Sequence, residues 1–109
     1  MADEKSVYKP SLGKGIIPHE AADFHQKNIG FIFNHTLKAV GLKMEDIDIV
    51  AYAAGAGLPP CLLVGANFAK KISKEFNKPL IPVCHQIAHL EIGLLKTDAK
   101  DPVFVYLSG

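Results

Sequence analysis

The sequence is short of the features that would send it to a membrane, a nucleic acid or an oxidising compartment by bulk chemistry alone. Its 109 residues carry 12 Lys and Arg against 11 Asp and Glu, a net charge of +1 with neutral histidine. So balanced a chain projects no field that recruits nucleic acid or an anionic bilayer, and such contacts would need a local patch or a partner. No apolar run approaches the roughly 18–20 residues of a membrane span. The first 14 residues are polar, without the apolar stretch of a secretory leader. Only two cysteines occur, Cys61 and Cys84, without C-x-x-C spacing and in apolar surroundings. Buried free thiols in a reducing, cytoplasmic setting are the expectation, rather than a disulfide.

What is present is an ordinary globular composition, 49% hydrophobic and 21% charged. Residues 1–14 are polar and punctuated by glycine and proline, and read as an arm or loop. The stretch Lys9 to Gly15 has the look of a phosphate loop but lacks the G-x-x-x-x-G-K-[ST] spacing and a preceding strand.

A first helix is expected from Pro18, a favoured first-turn proline, to a stop at Gly41. On a helical wheel Ala22, Ile29, Ile32, Phe33, Thr36, Leu37 and Val40 gather on one side as a core face. Phe24 and Phe31 lie on nearly the opposite side. Either another protein surface covers that second stripe, or it is buried in a larger version of the same fold. His19, His25 and His35, with Glu20 and Asp23, do not share a face and read as solvated or capping groups.

After a short polar connection with one helical turn, Ile47 to Ala54 reads as a central buried strand. The Gly55-Ala56-Gly57-Leu58-Pro59-Pro60 loop follows. It is either a plain turn or a ligand loop at a strand's carboxyl end. A second helix is expected over Cys61 to Asn77. One face carries Leu62, Gly65, Ala66, Ala69, Ile72, Ser73 and Phe76, and the other Lys70, Lys71 and Lys74. A strand at Leu80 to Cys84, a helix from His85 and a strand from Asp101 to Leu107 complete an α-β-α-β-α-β order. Such alternation implies an α/β fold with helices packed on a mixed or parallel sheet. The last strand has no closing element and the first helix no preceding strand, so an incomplete lobe is expected over residues 15–109.

The stretch from His85 to Gly93 carries the chemistry. His85 and His89, four apart on a helix, share one face, and a strand delivers them onto its first turn. That is a plausible half of a metal site, against the plainer reading of surface or hydrogen-bonded histidines.

Several spaced motifs together resemble one family. In order they are Tyr8-Lys9-Pro10, Gly13-Lys14-Gly15-Ile16, Pro18-His19-Glu20-Ala21-Ala22 with His25, the Gly55 to Leu58 loop, Leu63-Val64-Gly65 and Lys78-Pro79-Leu80. His85 to Gly93 and Tyr106-Leu107-Ser108-Gly109 complete the set. The chain is similar to the catalytic subunit of the KEOPS complex. That is the tRNA threonylcarbamoyladenosine synthase family once called O-sialoglycoprotein endopeptidase, in its archaeal and eukaryotic branch.

The resemblance implies an actin/Hsp70-like (ASKHA) fold of two lobes, of which this chain is most of the first. It implies transfer of a threonylcarbamoyl group from its adenylate to N6 of adenosine 37 in tRNAs that read ANN codons. His85 and His89 would then be ligands of one divalent metal ion, iron or zinc, with Tyr106 beside it. Tyr106, Leu107, Ser108 and Gly109 would open the loop that holds threonylcarbamoyl-adenylate or ATP. Expected partners are a small dimerising subunit on the first-lobe helices, which suits Phe24 and Phe31, an atypical kinase subunit, and tRNA. The alternative is an inactive first-lobe module that only binds the dimerising subunit.

Departures from the family pattern are Ala56 in place of proline, Pro59 after Leu58, and His19 in place of arginine. The family's early strands, the rest of its adenylate loop and its second lobe with a metal-binding aspartate have no counterpart here. A chain of this extent is expected to be inactive unless a second polypeptide supplies them. The old protease name is set aside, because Gln86 stands where H-E-x-x-H needs its glutamate base.

Overall fold

The computed structural model describes residues 1–105. Helix α1 runs Pro18–Ala39, strand β1 Val50–Gly55, helix α2 Pro59–Phe76, strand β2 Leu80–Cys84 and helix α3 His85–Lys96, with a 3₁₀ turn at Met44–Asp46 between α1 and β1. The fold is α/β, with helices alternating with strands, as in the first lobe expected from the sequence.

Local chemistry sets the boundaries. Proline opens both α1 and α2, where its missing N–H costs nothing. The sequence reading gave Pro59 and Pro60 to the loop, and they are instead the first turn of α2, which therefore starts before Cys61. Helix α1 ends in a left-handed glycine: Gly41 has φ +67°, its N–H donates to Lys38 O at 3.1 Å, and the Leu42 N–H to Leu37 O at 3.0 Å. Those two bonds satisfy carbonyls that the helix end would leave orphaned. At the end of α2, Asn77 takes the left-handed conformation, the Lys78 N–H donates to Ser73 O at 2.9 Å, and the Ser73 hydroxyl donates to Lys78 O at 2.6 Å.

The two strands pair in parallel, with Val50 beside Leu80, Ala51 beside Ile81, Tyr52 beside Pro82 and Ala53 beside Val83. Ile47 to Ile49 only connect the 3₁₀ turn to the sheet, so β1 begins three residues later than the apolar run suggested. The expected last strand is not formed where it should begin, since residues 102–105 are neither helix nor strand. The remainder of that expectation lies outside the described residues.

Helix α2 is the central packing element, touching α1 on one side and β1 on the other. Phe33 of α1 meets Phe68 of α2 edge-to-face, with ring centroids 5.4 Å apart. Ala21, Ala22, Met44, Ala69 and Ile72 are buried. The small Ala69 lets the helix approach closely, and Ile72 continues the same face one turn on. Ile29, Phe33 and Leu37 of α1 line an apolar groove of about 470 Å³, together with Val50 to Ala53 and Phe68. The core face read from the helical wheel thus points inward.

Candidate metal centre

A parallel pair puts the carboxyl ends of both strands on the same side, which is where open α/β sheets hold their ligands. Beyond a local irregularity after Ala53, Gly55 of β1 comes level with Cys84 of β2. The Gly55 to Leu58 loop and the first turn of α3 therefore leave the sheet side by side. The loop's tight path uses Gly57 at φ +156°, where a Cβ would lie 3.4 Å from the Leu62 side chain.

The chain passes from β2 into α3 without a connecting residue, because Cys84 is both the last strand residue and the extended N-cap of the helix. That junction fixes His85 at the first helical position, and the helical repeat lifts His89 one turn above it. Their Nε2 atoms face each other at 3.2 Å, with the rings edge-to-face and centroids 4.5 Å apart. Both residues are exposed.

Two imidazole nitrogens that face one another across this distance would serve as two ligands of one ion, each offering its Nε2 lone pair. The donor set is neutral and nitrogen-only, suited to zinc or iron more than to calcium or magnesium. Two imidazoles do not complete a site, and among the described residues no group of three or more His, Cys, Asp and Glu comes together that could hold a metal. Cys84, next in sequence to His85, lies with its Sγ 4.0 Å from Gln86 Oε1.

The other site expectations divide. Tyr106, Leu107, Ser108 and Gly109 lie outside the described residues. Phe31 is 68% exposed and stacks on His35 at 5.8 Å between ring centroids. Phe24 is half-buried, between His25 and Tyr8 of the N-terminal arm, whose ring centroid is 5.9 Å away. Helix α1 has Ile17 as its N-cap with no side-chain cap bond, so neither His19 nor Glu20 caps it. Glu20 instead accepts a 2.7 Å hydrogen bond from the Tyr8 hydroxyl, and Glu4 lies 3.6 Å from His35 Nδ1. The Tyr8 pKa is raised above 10, first by that hydrogen bond, then by desolvation and the carboxylate charge. These arm contacts escaped the sequence reading; the only trace they leave there is the polar, irregular arm itself.

Compared with known families, residues 2–109 match TsaD, described as tRNA N6-adenosine threonylcarbamoyltransferase. Curated proteins of that description are similar to the chain. One from Thermofilum pendens is 47% identical over 103 residues, covering 94% of this chain and 30% of the relative. One from Caldivirga maquilingensis is 42% identical over 109 residues, covering 100% and 33%. A third, from Methanopyrus kandleri, is 42% identical over 114 aligned positions, again 100% and 33%. The chain thus spans about a third of the length of these relatives.

Proposed function

The chain belongs to the tRNA N6-adenosine threonylcarbamoyltransferase family, and from that premise we propose that it contributes the two-histidine half of a metal centre to a tRNA-modifying acyl transfer. The acceptor in this reading is N6 of adenosine 37 in ANN-decoding tRNAs, and the donor is threonylcarbamoyl-adenylate. The observation that carries the proposal is the approach of the His85 and His89 Nε2 atoms to 3.2 Å at the carboxyl end of the parallel sheet. A bound zinc or iron ion supplies Lewis-acid polarisation of a carbonyl or phosphate oxygen at neutral pH.

The chain's own part is positional. His85 and His89 would hold the ion on a first turn whose place is set by β2. The neighbouring Gly55 to Gly57 loop leaves room for a ligand's backbone-close approach. Tyr106 to Gly109 open the segment that would meet the adenylate. Acyl transfer needs the carbonyl and the attacking nitrogen held together out of water, and the exposed histidine pair does not enclose them. Further ligands and an enclosing surface come, in this reading, from beyond these residues.

The test is metal retention. Cobalt(II) titrated into the protein should develop a ligand-field spectrum that His85→Ala with His89→Ala abolishes. Unchanged cobalt binding in the double variant would remove the ligand assignment.

A second reading, an interaction module for a small dimerising subunit, draws on Phe31, which is 68% exposed on the side of α1 away from Phe33. A large ring held in water at mid-helix is the kind of residue a partner buries. Phe31→Asp should weaken that association while leaving the helix content unchanged.

A further inference from the structure

Residues 1–10 lie against α1. Ala2, Ser6, Tyr8 and Pro10 are half-buried, while Met1, Asp3, Glu4, Lys5, Val7 and Lys9 are exposed. From Lys5 to Pro10 this is the period-2 alternation of an extended segment with one face on the body. Glu4, itself exposed, reaches His35 at 3.6 Å, and Tyr8 reaches Glu20 at 2.7 Å while its ring rests on Phe24. The arm therefore runs antiparallel to α1.

What holds it is slight. Among the described residues, no backbone hydrogen bond joins residues 1–10 to the body. Two clefts, of about 330 and 380 Å³, border the arm, each with Ser6 and His25 in its lining. The arm is thus flanked by unfilled space, unlike a packed core element. Its anchors are a half-exposed ion pair, one exposed hydrogen bond and one ring contact, all of them weak at a surface.

We propose that the N-terminal arm is a displaceable strap that covers the Phe24 half of α1's second aromatic face and leaves Phe31 open. Lifting it exposes Phe24 on the same face of α1 as Phe31, two turns away, with Lys27 and Asn28 between them. Any protein that engages both rings must first displace residues 4–8. That consequence for partner binding rests on the interface reading of Phe31 given above, whereas the strap itself does not.

The experiment uses the full chain and the apolar dye anilinonaphthalene sulfonate. In the unaltered protein, nuclear Overhauser contacts between the Tyr8 and Phe24 rings should be present. Glu4→Gln with Tyr8→Ala should abolish docking, keep the far-ultraviolet helix signal, and raise dye fluorescence at least about twofold as apolar surface opens. Adding Phe24→Ala should cancel that rise. Absence of the ring contacts in the unaltered protein overturns the strap, as does dye binding that the arm variant leaves unchanged. Loss of helix in the variant also overturns it, because the arm would then be a structural element. If dye binding rises but affinity for a small dimerising subunit does not, the interface reading fails and the strap stands.

Discussion

Gly55 at the end of β1 lies level with Cys84 at the end of β2, and this single register relation brings the glycine loop beside the histidine pair. A two-stranded parallel sheet is enough to do so, because parallel strands end on the same side. Both histidines are exposed, and their Nε2 atoms face each other at 3.2 Å.

That exposure makes a prediction about stability. Replacing His85 and His89 together by Ala should change the metal-free unfolding free energy by no more than about 0.5 kcal/mol, the range of ordinary surface substitutions. Urea titrations of both forms check it. A large loss would mean that the pair braces α3 instead of standing ready for a ligand.

The end of α1 depends on a conformation that only glycine adopts cheaply. Gly41 sits at φ +67° with open space where a Cβ would go. Crowding is therefore absent, and Gly41→Ala isolates the backbone term. It should destabilise the chain by about 1 kcal/mol, read as a lower denaturation midpoint at unchanged slope. Gly30→Ala, in mid-helix without positive φ, should be neutral or stabilising by comparison.

Periodicity and end signals were legible wherever one residue's local preference decides the structure. Strand β2 has the bounds its apolar run gave, and Gly41 and Asn77-Lys78-Pro79 mark helix ends as read. The errors fall where two local options compete. Pro59 and Pro60 suit both a loop and a first helical turn, and the helix took them. Ile47 to Ile49 suit a strand, but the 3₁₀ turn holds Ile47 as its cap, with the Ile47 N–H donating to Met44 O at 3.2 Å, and pairing begins only at Val50, whose N–H donates to Pro79 O at 2.9 Å. The wheel put Phe24 and Phe31 on one face, but it could not show that Tyr8 covers only the first. That contact joins residues 16 apart with no periodic signal between them. The histidine spacing was legible as a pair and no further, since any additional ligand would have to come from residues whose proximity no spacing rule describes.

The contact between Phe33 and Phe68 is the main aromatic link between α1 and α2. Both rings are half-buried, so Phe33→Ala removes packing and leaves an edge of Phe68 to water. A loss of about 2 kcal/mol is expected, below the 3–5 of a fully buried ring because part of the surface is already wet. The Phe33→Ala and Phe68→Ala pair should couple by about 0.5–1.5 kcal/mol in a double-mutant cycle, the edge-to-face share.

The Tyr8 and Glu20 bond predicts how alkali acts on the chain. Glu20 accepts the phenolic proton at 2.7 Å, and its hydrogen bond and negative charge both disfavour phenolate, so the folded chain holds that proton above the ordinary tyrosine pKa of 10. Between the unfolded value and the raised folded value, the folded state binds more protons than the unfolded one, and stability must fall as pH rises. The contribution is complete below about pH 10 and disappears once pH passes the folded value. The late ionisation of Tyr8 should be visible in ultraviolet difference spectra of the tyrosines. Glu20→Ala removes both the acceptor and the charge, and should bring the late component back toward 10. It should also flatten the loss of stability with pH in that window. If the Tyr8 ionisation is unmoved by Glu20→Ala, the arm does not rest on α1 through this bond, and its hold must come from its other contacts, the ring of Phe24 among them.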